Sequence, residues 1–352
     1  MKNFLVYGSY GYTGKLIVEH AVKEGLRPIL AGRNETQLRM QAETFGLEYR
    51  VVDLGDTTAL ETAVREVDAV LHCAGPFSLT FQVVTEACLA NRKHYVDISG
   101  EIEEFESLAR MDAEARKADI MILPGGGFDV VPSDCLSIYL SKKLPGATKL
   151  ELDVTSIRSG VSRGTARSGI ENMQRQGLIR RAGKIVSVPN AWRSKQTDFG
   201  RGPKRVVSIG WGDVSTAYYS TRIPNIEVYM SLPTAMIGGM YLTRLLGPLL
   251  YTRPSKTFLK WLIGKLIPAG PSRERNRSGF SVMIGEVTDG KQTFRARQRT
   301  PEAYYLTALT AVEIMKRVLT SDYKIGFQTP AQVYSEDFIL QFAGVEREDL
   351  NG

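Results

Sequence analysis

Residues 7–16 read YGSYGYTGKL. They follow the apolar run FLVY and lead into TGKLIVEHAVKEG, where Leu16, Ile17, Ala21 and Val22 share one helical face and Gly25 closes the pattern. A strand, a turn with glycines at 8, 11 and 14, and an amphipathic helix opening at a capping-type Thr13 together suit a pyrophosphate. Free N–H groups and the dipole of a helix N-terminus attract the anion. Gly8 is expected to make the tight turn, Gly11 to permit close approach of the ligand, and Gly14 to let the helix pack on the strand. The GxxGxxG spacing is one residue longer than the commoner GxGxxG, and Ser9, Tyr10, Tyr12 and Thr13 complete the expected turn.

The surrounding chain gives that turn its context. NFLVYG, RPILAG, EYRVVDL, DAVLHCAG, HYVDIS and IMILPGGG are short apolar runs separated by helix-length segments within the first 145 residues. Such alternation predicts an α/β fold with a doubly wound parallel sheet of the Rossmann type. From about residue 148 the pattern changes, and KLELDVTSI, GKIVSVP, NIEVYMSL and FSVMIGEV read as strands of a second, mixed α+β domain. The expected division is 1–146 for nucleotide binding, 147–300 for substrate or oligomerisation, and 301–352 as a C-terminal helix and tail packing back on the first domain.

In a doubly wound sheet the second strand ends beside the adenosine ribose, where an NAD site carries a carboxylate. Here the strand ends in AGRN: Gly32, Arg33 and Asn34 supply no acid, and the Arg33 guanidinium suits a ribose 2′-phosphate. NADP is therefore expected over NAD. Asp53 is read either as a contact to the adenine amino group or as a cap for the helix from Asp56 onward. Ligands lie beyond the carboxyl ends of the strands, which puts Ala74, Gly75 and Pro76 of HCAGPF beside the ribose and nicotinamide. By the same geometry Asp97, Ser99, Gly100, Glu101, Phe128 and Asp129 are candidates for the substrate cleft, with turn chemistry as the alternative reading.

VYGSYGYTGKLI, LAGRN, CAGPF, HYVDISGE and GGGFDVVPSD together resemble the saccharopine dehydrogenase-like oxidoreductases. GPSRERNRSGF, GEVTDG, RTPEAYYLTALTA and GFQTPA are similar to the branch containing the trans-acting enoyl reductases. The resemblance implies an NADP-type Rossmann domain, a second mixed domain and a reductase of C=C or C=N bonds. It implies no catalytic residue, and none is assigned from it.

Tyr139 and Lys143 have the YxxxK spacing of short-chain dehydrogenases, where the lysine lowers the tyrosine's pKa. The pair follows the sixth strand rather than the fifth, and SIYLSKKL reads as an ordinary amphipathic helix, so the spacing is taken as accidental. Cys73, Cys88 and Cys135 are odd in number and have no CxxC spacing, and His20, His72 and His94 form no HExxH; neither a disulfide framework nor a metal site is expected.

Charge is distributed unevenly along the 352 residues, whose net charge is +7. Residues 1–145 carry 15 Lys and Arg against 21 Asp and Glu, whereas 158–205 carry 12 against 2 and 253–277 carry 7 against 1. The basic stretches lack a nucleic-acid motif or interleaved aromatics, so nucleic acid is not an expected partner. RSGVSRGTARSGIENMQRQG reads as a helix with a glycine-rich start. Residues 235–267 place Leu259, Leu262, Ile263 and Leu266 together, with Lys256, Lys260 and Lys265 elsewhere on the helix. That suits a lid or homodimer helix, or a helix lying on an anionic membrane surface. With no signal-peptide core and no stretch of 18 apolar residues, a cytoplasmic protein is expected, peripheral membrane contact being compatible with it.

The sequence thus predicts an NADP(H)-dependent oxidoreductase reducing a C=C or C=O bond of a hydrophobic or carrier-linked substrate. A reductase of an amino-acid-derived imine and a non-catalytic NADP-sensing or scaffold protein stand as alternatives.

Overall fold

The computed structural model describes residues 2–157, 160, 162–166, 177–250, 252–266, 270–272, 274 and 278–350; within these, residues 235, 243, 245–250, 253, 256, 260, 264 and 266 are described by their backbone. The chain divides into two compact units, residues 1–131 with 304–333, and residues 132–303 with 334–352.

The first unit is built on a parallel sheet of seven strands: β1 (Phe4–Tyr7), β2 (Ile29–Gly32), β3 (Tyr49–Val51), β4 (Ala69–His72), β5 (His94–Asp97), β6 (Met121–Leu123) and β15 (Gly326–Phe327). Their spatial order is β15-β6-β5-β4-β1-β2-β3. Sequence order reverses between β1 and β4, the switch point where doubly wound sheets take ligands. β1 and β4 are wholly buried, as strands covered by helices on both faces must be. All six predicted strands form. The seventh was not predicted; it pairs with β6 after the chain returns from the second unit.

Helix α1 (Tyr12–Lys23) follows β1, and Ile17, Val18 and Ala21 are its buried stripe. Its N-cap is Gly11, so Thr13 lies within the first turn rather than capping the helix. Helix α2 (Glu35–Phe45) is capped by Asn34, whose side chain accepts the Gln37 N–H at 3.0 Å. Helix α3 (Thr57–Arg65) is capped by Asp56 and not by Asp53. The helix Ala303–Leu319 falls in this unit from Tyr304 and packs on the glycine run after β6. Thr307 Oγ1 accepts the Phe128 N–H at 3.0 Å, and Thr310 Oγ1 donates to the Gly126 carbonyl at 2.9 Å.

The second unit holds a mixed sheet of β7 (Lys149–Ile157), β8 (Gly177–Arg181), β9 (Lys184–Val188), β10 (Ser194–Asp198), β11 (Pro203–Ile209), β12 (Asn225–Met230), β13 (Phe280–Thr288), β14 (Thr293–Pro301) and β16 (Glu346–Asp349). The main path runs β10-β11-β12-β7-β13-β14-β16, with β8 paired to β12 and β9. One face is covered by the helix Val131–Lys143: a side chain at Gly285 of β13 would strike Leu136 and Leu140, and Gln298 Nε2 bonds the Pro132 carbonyl at 2.7 Å.

These contacts move the boundary expected at 146 to 131, because the helix after β6 belongs with the second sheet. They also divide the expected C-terminal segment, since residues 334–352 join the second unit through β16, which pairs with β14. The helix expected over 158–177 lies largely outside the described residues. Within 235–267 the described residues form two helices, Thr234–Leu250 and Arg253–Leu266. Among the described residues no helix is long and apolar enough to cross a membrane.

Candidate functional site

The turn after β1 is drawn tight by its own backbone. Gly8 N–H donates to the Ala31 carbonyl of β2 at 2.8 Å, and Gly11 N–H closes back on the Gly8 carbonyl at 3.0 Å. Gly8 sits at φ +86°, in the left-handed region, and a Cβ there would also lie 2.8 Å from Ala74 Cβ. A Cβ on Gly14 would lie 2.3 Å from the Gly8 carbonyl oxygen and 2.8 Å from that of Ser9. Gly11 differs: only the Gly8 carbonyl, at 3.2 Å, stands near its Cβ direction, and the remaining side is open. Gly8 and Gly14 are thus small for the protein's own packing, while Gly11 is small beside open space.

No side chain caps α1 at Gly11. The first N–H groups of a helix have no intrahelical acceptor, so an uncapped start beside an open glycine is a cradle for an anion. The residues present fit a pyrophosphate.

The other members of the expected turn are placed around that cradle. Ser9 is fully buried, its Oγ unpaired and its carbonyl bonded by Gln41 Nε2 at 3.0 Å. Tyr10 lies across the end of β2, its ring so close to Gly32 that a Cβ there would stand 2.5 Å from Cε1, while its oxygen accepts the Asn34 N–H at 3.2 Å. This use of Gly32 escaped the sequence reading. Tyr12 packs edge-on against Tyr304 with ring centroids 5.1 Å apart. Arg33 is exposed between β2 and α2, and its charge acts on the Tyr7 phenol at the end of β1. Asp53 accepts the Gly55 N–H at 2.9 Å in a local turn.

The chain after β4 turns through Ala74, Gly75 and Pro76, the Gly75–Pro76 peptide being cis. Thr80 Oγ1 donates to the Ala74 carbonyl at 2.8 Å and lies 2.9 Å from His72 Nε2. Burial lowers the His72 pKa to about 3, so the ring is neutral and supports this loop as a fixed partner. Glu101 accepts the N–H groups of Phe77 and Ser78, each at 3.2 Å, and so ties the loop after β5 to the loop after β4. Asp97 Oδ1 accepts the N–H groups of Ser99 at 2.9 Å and Gly125 at 2.8 Å, tying β5 to the loop after β6.

Most of the expected cleft residues therefore serve as connections between loops. Asp97 and Ser99 are buried, Phe128 is 5% exposed, and Asp129 is half-buried beside Gly100, where a Cβ would stand 2.9 Å from Asp129 Oδ2. Burial raises the Asp129 carboxyl pKa to about 6. Glu104 was missed: it is 1% exposed and takes a hydrogen bond from Ser99 Oγ. Its signal was an acid on the face of IEEFESLAR that carries Leu108, four residues on.

Tyr139 and Lys143 belong to the second unit and both bond Asp349, at 2.6 Å and 3.2 Å. They are ordinary surface partners of β16. Cys88 and Cys135 are buried and Cys73 is half-buried; burial pushes all three thiols up, away from nucleophilic character.

Residues 4–123 match the family model of the saccharopine dehydrogenase NADP binding domain. A saccharopine dehydrogenase-like oxidoreductase of Homo sapiens is 26% identical over 214 residues, which cover 53% of this chain and 49% of that protein. A trans-acting enoyl reductase of Mycobacterium leprae is 30% identical over 145 residues, covering 39% of this chain and 34% of that protein. The chain thus spans about half, or less, of the length of these curated relatives. Among solved structures, the apo saccharopine dehydrogenase (L-Glu forming) of Saccharomyces cerevisiae aligns over 100% of both chains with a TM-score of 0.66 at 12% identity, a shared fold. The glycine cradle and these matches agree: residues 4–123 form an NADP-binding domain of the saccharopine dehydrogenase family, in a chain that resembles the saccharopine dehydrogenase-like oxidoreductases.

Proposed function

We propose that the chain is an NADPH-dependent reductase acting on a C=C or C=O bond of a hydrophobic or carrier-linked substrate. The observation that carries the cofactor half is the cradle at Gly11 with its uncapped helix, followed at the end of β2 by an exposed arginine and no carboxylate. Gly8 to Gly14 would hold the pyrophosphate, Arg33 the 2′-phosphate, and the loop Ala74–Pro76 the ribose and nicotinamide. When bound, NADPH supplies a hydride. The chain's own part is to orient the substrate and to furnish a proton, and Asp129 holds one at its carboxyl part of the time near neutral pH.

Two observations support a greasy substrate. One is the similarity to the mycobacterial relative, a trans-acting enoyl reductase. The other is the helix Arg253–Leu266, where Phe258 and Trp261 are 59% and 53% exposed, stacked with ring centroids 5.8 Å apart, and Lys265 Nζ lies 4.3 Å over the Trp261 ring. An exposed aromatic ridge flanked by a cation suits an anionic membrane interface, where the rings enter the headgroup layer and the ammonium stays in water. The side chains of Lys256 and Lys260 lie outside the described residues. In the neighbouring helix Ile237, Met240 and Tyr241 pack on Ala191 and Val207, anchoring it to the sheet.

The test is NADPH oxidation by the purified protein with medium- and long-chain enoyl thioesters, apolar ketones, and a mixture of a 2-oxo acid with an amino acid. Consumption with the apolar enoyl or carbonyl compounds supports the proposal. Consumption only with the oxo-acid and amine mixture assigns the imine reaction instead, and none with any of them points to a cofactor-binding protein without this activity.

A further inference from the structure

Asp97 and Glu104 are buried together without a counter-charge. Asp97 is 0% exposed and Glu104 1% exposed, and among the described residues neither forms an ion pair with a lysine or arginine. One oxygen of each is engaged: Asp97 Oδ1 by the Ser99 and Gly125 N–H groups, Glu104 Oε2 by Ser99 Oγ. The two carboxyls are hydrogen-bond neighbours, and the Tyr95 hydroxyl is a second such neighbour of Asp97; the oxygens Asp97 Oδ2 and Glu104 Oε1 are not engaged by any backbone N–H. Two like charges in that position cannot both persist, since each buried unpaired ion costs several kcal/mol. The backbone N–H donors favour the charged form at Asp97, which leaves Glu104 as the acid.

We propose that Glu104 Oε1 carries a proton donated to Asp97 Oδ2, and that this shared-proton pair is the clasp holding the loops after β4, β5 and β6 in register for the nicotinamide end of the cofactor.

The lacing is continuous. Asp97 binds the loop after β6 through Gly125. Ser99 Oγ accepts the Glu101 N–H at 3.1 Å while donating to Glu104, and Glu101 in turn holds Phe77 and Ser78 after β4. The other titratable groups around the cluster are Tyr95 on β5, His72 on β4, in register with Asp97 and kept neutral by burial, Cys88 on the helix after β4, Cys73 after β4 and Glu101; none of these is a cation. Burial pushes both carboxyls up, and the Asp97 charge pushes Glu104 up further, so Glu104 is the one that holds the proton. Its loss at alkaline pH places two negative charges side by side and loosens the loops.

The role of the clasp rests on the cofactor reading above, so the experiment separates the two. Infrared spectra of the intact protein at neutral pH are expected to show a protonated-carboxyl C=O band that Glu104→Gln removes. NADPH affinity of the wild type is expected to fall at least tenfold from neutral to alkaline pH. Glu104→Gln, whose amide still donates toward Asp97, is expected to bind within a few fold of wild type at neutral pH and to lose that alkaline fall. Absence of the band, or the same alkaline fall in both proteins, overturns the proposal. If the wild type binds no NADPH at any pH, the cofactor reading fails, and the clasp is judged on thermal unfolding. A steeper alkaline drop of Tm in wild type than in Glu104→Gln upholds the shared proton, and equal drops overturn it.

Discussion

Glycines 11 and 14 stand one helical turn apart, yet the structure assigns them opposite duties, and substitution should separate them. In Gly14→Ala the new methyl meets the Gly8 carbonyl at 2.3 Å and the Ser9 carbonyl at 2.8 Å. Both obstacles are backbone, so α1 must move off β1. Overpacking of this kind costs about 1–3 kcal/mol, and an immovable neighbour points to the upper end. Replacing a helical glycine by alanine returns roughly 0.5–1 kcal/mol. The balance is a loss of about 2 kcal/mol, or roughly 4–8 °C in Tm for a unit of this size. Gly11→Val faces one contact, at 3.2 Å, and keeps a φ of −62° that valine adopts freely. It should therefore cost no more than an ordinary change of N-cap, about 0.5–1 kcal/mol, while filling the space a pyrophosphate would need. Calorimetric unfolding together with NADPH titration gives both numbers. Gly11→Val should fold with near-native Tm and lose at least tenfold in NADPH affinity. Normal NADPH binding by folded Gly11→Val, or an unchanged Tm for Gly14→Ala, would refute the reasoning.

Asp129 has its carboxyl pKa raised from 3.8 to about 6, so the folded state holds this proton more tightly than the unfolded chain does. The protein should lose stability as pH rises through that window, and Asp129→Asn should remove the loss, gaining up to about 3 kcal/mol above it and nothing at lower pH, as measured by denaturant titration across pH. Phe258→Ser combined with Trp261→Ser should abolish sedimentation with anionic liposomes while leaving NADPH affinity unchanged; wild-type protein that ignores anionic liposomes at low salt removes the membrane reading. Tyr139→Phe should leave NADPH oxidation within about twofold, since its hydroxyl serves Asp349; a thousandfold loss would restore the YxxxK pair as a catalytic dyad.

The first sheet was legible because parallel strands buried on both faces are nearly continuous apolar runs, as FLVY and AVLH are. β15 was not, since the two residues Gly326 and Phe327 carry no periodicity. In the second sheet β7, β9, β12 and β13 were readable. The strands missed include both ends of the main path, β10 (SKQTD) and β16 (ERED), whose solvated edge composition hides them. β14 hides for another reason: its inward positions are Ala296, Gln298 and Thr300, so alternation is present but barely apolar. The nucleotide turn was legible because glycine is demanded there by contact. The pairing of Asp97 with Glu104 was not, because an acid on a helix reads as solvated until the burial of its face is known. Asn34 and Asp56 show the ordinary use of such residues, as caps.

The central claim, that this domain takes NADPH and selects it at Arg33, is tested most directly by titrating wild type and Arg33→Ala with NADPH and NADH. A charge-assisted contact to the 2′-phosphate contributes about 1.5–3 kcal/mol, which is roughly one to two decades of affinity. Wild type should bind NADPH more tightly than NADH by that margin, and Arg33→Ala should bind the two alike with NADH affinity unchanged. Equal affinities in wild type, or an Arg33→Ala protein that keeps the preference, would contradict the claim.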